Sequence, residues 1–241
     1  MNNKNSLEKA ELFYVEAIRI LNKLKIPFMV GGTYAFREYT GIQRKTKDLD
    51  LFAKSSDYPK ILKELSNTGF ETEITDARWL AKVKSKKFTI DIIFGSASGL
   101  ALVDETWLDY AKPTYILGTH VKLMAPEELI WTKCYVQDRS RYEGSDIYHT
   151  ILRQADTLNW KRILMRMEAH WEILLAHLIN FRFVYPSEVK LIPKWLMEEL
   201  MARINRQFDL PTPKDKVCRG PILSRRHYEI DIKEWGFRDI S

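Results

Sequence analysis

Two aspartates separated by one residue, in Thr46-Lys47-Asp48-Leu49-Asp50-Leu51, are the side chains best suited to chemistry. Along a strand, residues two apart share a face, so Asp48 and Asp50 project together while Leu49 and Leu51 point into a core. Adjacent carboxylates repel, and they are stable together when solvated or when a cation lies between them. Magnesium takes oxygen ligands and typically uses one or two carboxylates plus water and substrate phosphates, which suits an Asp-x-Asp pair. A solvated acidic edge strand is the plainer reading of the same residues. A third carboxylate, Asp91, lies inside the apolar run Phe88-Thr89-Ile90-Asp91-Ile92-Ile93-Phe94. A lone carboxylate there is costly without a partner. Beside the Asp48 and Asp50 strand it would complete a three-carboxylate cluster, fit to ligate a second metal ion and to accept a proton from an attacking hydroxyl. Otherwise it pairs with a nearby base such as Lys82 or Lys84.

Upstream, Val30-Gly31-Gly32-Thr33 joins a short apolar run to an expected helix. A helix start offers unpaired backbone N–H groups and a positive dipole end. Glycines lack the Cβ that would keep a phosphate away from that backbone, and Thr33 adds a hydroxyl donor. Without a ligand, the same pair simply makes a tight strand-to-helix turn. Taken with the aspartates, these parts are what a nucleoside triphosphate and its metal require. Arg44, Lys45 and Lys47 lead into the aspartate strand and are placed to reach phosphates, although an exposed basic loop accounts for them equally simply.

The surrounding pattern supplies elements to position these groups. Apolar steps at Leu7, Leu12, Val15, Ile18, Leu21 and Leu24 predict an amphipathic helix over residues 7–25, with Ser6 as N-cap. Strands are expected over 28–30, 48–53, 70–74, 79–83 and 88–94, and helices over 33–39 and 58–65. A hairpin is expected around Gly118. Pro126-Glu127-Glu128 opens a helix with proline and acids in its first turn. From there the pattern reads as wholly helical to about Phe208, followed by a proline-marked tail whose aromatic end packs back on the body. The expectation is an α+β domain over 1–125, with a mixed sheet and flanking helices, then a helical domain over 126–210 and a tail over 211–241.

The 241 residues are 45% hydrophobic, enough for a core without staples. Cys134 and Cys218 are far apart and outside any CxxC setting, which disfavours a disulfide framework or structural zinc and fits a reducing cytoplasm. His170 and His177 are too widely spaced to share an ion. The N-terminus lacks the apolar core of a signal peptide, and no run reaches the length of a membrane span. A net charge of +6 suits an RNA or triphosphate ligand without requiring one. In the helical half, Trp160, Trp171, Phe181, Phe183, Tyr185 and Trp195 read as core rather than a base-stacking platform. Arg139, Arg141, Arg153, Lys161, Arg162 and Arg166 give that half a basic, solvated side.

Gly31-Gly32, then Asp48-Leu49-Asp50, then Asp91 resembles the nucleotidyltransferase superfamily related to DNA polymerase β. The longer forms Gly31-Gly32-Thr33-Tyr34-Ala35 and Arg44-x-Thr46-x-Asp48-Leu49-Asp50-Leu51-Phe52 are similar to its AbiEii-like branch, which includes toxins. Pro126 to Lys133, with Arg141 and Asp146, also resembles that branch. The resemblance covers roughly residues 28–150. It implies a polymerase-β-like domain, triphosphate on Gly31 and Gly32, Mg²⁺ on Asp48 and Asp50, and Asp91 as base or third metal ligand. Lys133 would contact phosphate. The implied reaction is attack by an acceptor hydroxyl on the α-phosphate, with two Mg²⁺ ions at the attacking and leaving oxygens. The acceptor would be tRNA, a protein hydroxyl or a small molecule, and an antitoxin would be a partner. Two other classes fit less well: a non-catalytic nucleotide- or RNA-binding module, and an interaction protein using its aromatic half.

Overall fold

The structure, a computed structural model, describes residues 2–241, and residues 2–7 by their backbone alone. The chain divides into two compact units, Met1–Ala125 and Pro126–Ser241.

The first unit runs α1 (Asn2–Lys23), β1 (Met29–Val30), α2 (Gly32–Thr40), β2 (Asp48–Phe52), α3 (Tyr58–Ser66), β3 (Glu71–Asp76), β4 (Leu80–Ser85), β5 (Phe88–Ile93), α4 (Glu105–Tyr110), β6 (Lys112–Ile116) and β7 (Thr119–Leu123). Its seven strands form one mixed sheet in the order β3-β4-β5-β2-β1-β7-β6. β2 runs parallel to β5, and β1 to β7. The other neighbours are antiparallel. Pleat alternation sorts the strands as their sequences demand. Leu49, Leu51, Ile90, Ile92, Ala81 and Val83 lie buried on one face. The β6–β7 turn uses Leu117 and Gly118, both at positive φ, as a two-residue hairpin turn requires.

The first helix differs from expectation in phase and start. It begins at Asn2, so Ser6 lies within it rather than capping it. Its buried stripe is Ala10, Phe13, Tyr14, Ala17, Ile18 and Leu21, while Leu12 is 69% exposed. The burial of Leu7 falls outside the described residues. The aromatic rings Phe13 and Tyr14 outweigh the leucines, and Phe13 packs edge-on against Phe70. Helix α4 was not expected: at six residues it is too short to show a period. Asp104 caps it, accepting a hydrogen bond from the Thr106 amide at 2.8 Å, and Trp107 anchors it by stacking on Phe52.

The second unit runs α5 (Pro126–Cys134), β8 (Gln137–Asp138), β9 (Arg141–Tyr142), α6 (Gly144–Gln154), α7 (Trp160–Arg166), α8 (Trp171–Val184), α9 (Lys194–Phe208), β10 (Val217–Cys218), α10 (Pro221–Ser224), α11 (Glu229–Lys233) and β11 (Arg238–Asp239). It is mainly helical but not wholly so, because β8 and β9 form a small antiparallel hairpin. Asp138 makes that turn by accepting hydrogen bonds from the Ser140 amide and hydroxyl, at 2.8 and 2.6 Å. Trp160 and Phe181 are core as expected, but Phe183 is 85% exposed. Arg162 leaves the expected solvated face. It is buried, and its guanidinium donates to Glu128 Oε1 at 2.8 Å. The tail forms two short helices and a parallel strand pair. It packs through Ile222 and through Ser224, whose hydroxyl donates to Asp138 at 2.7 Å. The terminal aromatics do less than expected, with Trp235 55% exposed. No helix among the described residues is long and apolar enough to cross a membrane.

Candidate active site

Strand register assembles the acidic face. Asp50 lies directly opposite Asp91 across the parallel β2–β5 pair, and Asp48 lies opposite Thr89. Adjacent strands run about 4.8 Å apart, so the two carboxylates spring from neighbouring backbones. All three aspartates share the face opposite the buried leucines and isoleucines, and all are half-buried. The row continues across the sheet: Asp91 pairs in register with Lys82, and Lys82 with Glu73.

Each aspartate is held differently. The Asp48 carboxylate accepts a hydrogen bond from the Thr46 hydroxyl at 2.7 Å, which orients it at the start of β2. Asp50 abuts the glycine turn. The Gly31 amide donates to the Asp50 carbonyl at 3.0 Å, and a Cβ on Gly32 would lie 1.7 Å from Asp50 Oδ2. Gly32 also sits at φ +52, a left-handed conformation that side-chain-bearing residues adopt at a cost. The second glycine is therefore fixed both by its own backbone and by the carboxylate packed against it. Gly31 is constrained from the other side, where a Cβ would meet the Phe52 ring at 2.4 Å. Asp91 has the lysine partner that its apolar strand calls for: Lys82 Nζ donates to Oδ1 at 2.9 Å. Lys84, the other base near it, is engaged by Glu73 and Glu71 instead.

Helix α2 starts at Gly32 with no side-chain cap hydrogen bond, and Gly32 itself lies against the Asp50 carboxylate. Thr33 is half-buried in its first turn. Arg44 lies on the exposed loop before β2, with its guanidinium 4.6 Å from the centre of the Phe36 ring. That loop and α2 border a cavity of about 310 Å³ whose walls include Tyr14, Tyr34, Arg37, Arg44, Lys45 and Thr46. Tyr14 is a site neighbour that the sequence does not announce, because it lies off the apolar stripe expected for α1. Its hydroxyl donates to the Lys47 carbonyl at 3.1 Å. Burial, then Tyr34 and the carboxylates of Asp48, Asp50 and Asp91, push its phenol well above the usual range. Tyr34, directly after Gly-Gly-Thr, was legible only as part of that motif.

Lys133 belongs to the second unit. Its ammonium, largely buried on α5, contacts Glu143 and donates to Asp146 Oδ2 at 2.8 Å. Burial works against the Glu143 carboxylate, yet Lys133 and Arg141 hold it below its usual range.

The donor chemistry suits a hard divalent cation: Asp48 and Asp50 carry only oxygen donors, on one face, beside the start of α2. Among the described residues no three His, Cys, Asp or Glu side chains gather as a ready-made metal cluster. The fit is therefore to the mode that uses one or two carboxylates plus phosphate and water.

A family model described as "Nucleotidyl transferase of unknown function (DUF2204)" matches residues 11–173. Among solved structures, the chain is similar to the antibiotic-resistance factor ANT(2'')-Ia at 16% identity and TM-score 0.49, covering 70% of this chain and 95% of that one. It is similar to an antigenic nucleotidyltransferase-like protein from Paracoccidioides brasiliensis at 17% identity and TM-score 0.48, covering 76% and 93%. It is also similar to the lincosamide antibiotic adenylyltransferase LnuA at 17% identity and TM-score 0.42, covering 58% and 94%. No curated protein matches.

Proposed function

Since the chain belongs to this DUF2204 family of nucleotidyl transferases, we propose that it moves a nucleoside monophosphate from a nucleoside triphosphate to an acceptor hydroxyl, using the acidic face of the first unit. The observation that supports this most is the contact set around Asp50, which packs against Gly32 on one side and lies in register with Asp91 on the other.

In this reading Gly31, Gly32 and Thr33 receive the triphosphate at the start of α2, where backbone amides and the helix dipole favour anions. Asp48 and Asp50 would hold Mg²⁺, which would supply neutralisation of phosphate charge. Asp91 accepts the proton of the acceptor hydroxyl as that oxygen forms its bond to the α-phosphorus. The bond from the α-phosphorus to the bridging oxygen breaks, and pyrophosphate leaves with its electron pair. Arg44 and the basic cavity wall beside it suit an anionic group. Lys133 serves as a phosphate contact only by exchanging its Glu143 and Asp146 partners.

A narrower placement, near the AbiEii-like branch, rests on Arg44, Thr46 and the β2 sequence. Toxin-like action, an antitoxin partner and a cytoplasmic setting go with it. The acceptor class is RNA, protein or small molecule.

The test supplies each of the four nucleoside triphosphates, radiolabelled at the α-phosphorus, with Mg²⁺ to total RNA, cell protein and a small-molecule extract. Transfer to one pool by wild type, lost in Asp48→Asn, supports the reading and identifies the acceptor class. Nucleotide binding without transfer to any pool would favour a binding module instead.

A further inference from the structure

The cavity of about 310 Å³ beside the aspartate strand carries more positive charge than a triphosphate at the glycine turn accounts for. Its walls bring Arg37, Arg44 and Lys45 against one acid, Glu11. Arg37 donates to the Gln43 side chain at 3.1 Å, and its guanidinium lies 5.3 Å from the centre of the Tyr34 ring. Among the described residues, no carboxylate pairs with Arg37 or Lys45. The inner wall is aromatic and neutral. Tyr14 and Tyr34 are buried and meet edge to face at 6.4 Å, and burial raises both phenols above their usual range. Cations beside such a wall attract an anion more strongly than they would in open water. Two links tie the cavity to the acidic face. The Thr46 hydroxyl donates to the Asp48 carboxylate at 2.7 Å, and the Tyr14 hydroxyl donates to the Lys47 carbonyl at 3.1 Å. The cations themselves stand apart from the glycine turn. Arg37 lies about 7 Å along α2 from Gly32, and Arg44 and Lys45 lie beyond the Gly41 cap that ends the helix.

We propose that this cavity holds a phosphate group of the acceptor, so that the hydroxyl under attack belongs to a phosphorylated sugar, either the end of a polynucleotide or a free sugar phosphate. The inference rests on the nucleotidyl-transfer reading, for which it names the acceptor's chemistry. A guanidinium fork and an ammonium both satisfy phosphate oxygens through charge-assisted hydrogen bonds. Arg37 supplies a fork steadied by Gln43, and Lys45 supplies a point charge at the exposed edge. A polycationic acceptor would meet like charges here, and a neutral one would gain nothing from them. The volume lies at the lower end of the range for small-ligand sites, which suits one phosphorylated sugar rather than a larger body. The triphosphate keeps the glycine turn, so the two anions are held by different groups and do not compete.

The experiment measures binding to the full chain of a fluorescent single-stranded RNA, by anisotropy, and of ribose 5-phosphate, by calorimetry. Ribose and spermine serve as neutral and polycationic comparators. RNA or ribose 5-phosphate should bind, and the tighter of the two identifies the source of the phosphate. Arg37→Glu and Lys45→Glu should each weaken that binding about tenfold or more, the scale of one charge-assisted contact. Lys60→Glu makes the same charge change at an exposed position on α3 and should leave binding unaltered. Circular dichroism checks folding, and exposed Lys45 carries the comparison should Arg37→Glu unfold. No binding of either phosphate, tighter binding of ribose or spermine, or an equal loss in Lys60→Glu would overturn the proposal. So would displacement of the bound phosphate by a non-hydrolysable nucleoside triphosphate with Mg²⁺, which would give the cavity to the nucleotide. Phosphate binding without any nucleotide transfer would leave the cavity assignment standing while the proposed reaction fails. Transfer to an acceptor undiminished in Lys45→Glu would do the reverse.

Discussion

Gly32 and Asp50 form a single steric unit, since a Cβ on the glycine would lie 1.7 Å from the Oδ2 of the aspartate. The glycine turn and the Asp48–Asp50 strand are thereby locked to one geometry. Gly32→Ala should cost about 1–2 kcal/mol for its left-handed backbone and also displace the Asp50 carboxylate. A shift of about 1 Å at a reacting centre can cost about 100-fold in rate. Gly41 provides the control: it caps α2 at φ +75, but nothing lies within 4 Å of its would-be Cβ. Gly41→Ala should lower stability to a similar extent while keeping Mn²⁺ affinity. Denaturant melts and Mn²⁺ titration of the two variants check this, and equal loss of metal binding in both would count against the steric link.

The second unit should depend heavily on a buried ion pair. Glu128 and Arg162 are both almost fully enclosed. Arg166 also approaches the same Glu128 oxygen, at 3.5 Å, and burial raises the Glu128 carboxyl above its usual range despite both arginines. Removing one partner of such a pair typically costs about 3–5 kcal/mol. Arg162→Met should therefore destabilise strongly, and adding Glu128→Leu should recover part of the loss, the remainder reflecting Arg166, which also faces Glu128. Thermal melts of the single and double variants measure it, and additive losses would contradict it.

Histidine 177 gives a pH signature. Burial lowers its imidazole, while the Cys134 carbonyl pulls it the other way. Because the folded value lies below the unfolded one, near 6.5, the unfolded chain binds more protons between the two. Its stabilising contribution is full above about pH 6.5 and is lost as pH falls through the window between the two values. His177→Gln should thus be less stable than wild type at about pH 7.5, with the gap narrowing towards about pH 5. Melting temperatures across that range test the sign, and a widening gap would reverse it.

Burial also pushes the Cys134 thiol far up, while Cys218 is only half-buried. A thiol reagent should label Cys218 in the native chain and reach Cys134 only on unfolding. Mass spectrometry of labelled peptides reads this directly, and rapid native labelling of Cys134 would contradict the packing of α5.

What the sequence made legible follows from the length scale of each signal. Period-two alternation in Asp48 to Leu51 and the apolar run Phe88 to Phe94 are local signals, so both strands and the shared face of Asp48 and Asp50 could be read. That Asp50 meets Asp91 depends on strand order, which no local pattern encodes. The choice of Lys82 over Lys84 as the Asp91 partner depends on register, where a shift of two residues would exchange them. Tyr14 was hidden for another reason: the leucine spacing set the wrong phase for α1, and the hydrogen bond from the Tyr14 hydroxyl to the Lys47 carbonyl joins residues 33 apart in sequence. In the second unit, Asp138-Arg139-Ser140 forms a turn through side-chain hydrogen bonds, which a search for helical period passes over.

The most direct measurement uses one nucleoside triphosphate, labelled in separate reactions at the α- or the γ-phosphorus, with its acceptor and with Asp50→Asn as control. α-Label alone should enter the acceptor, γ-label should be released as pyrophosphate, and Asp50→Asn should do neither. Transfer of the γ-label, or α-transfer undiminished in Asp50→Asn, would contradict it.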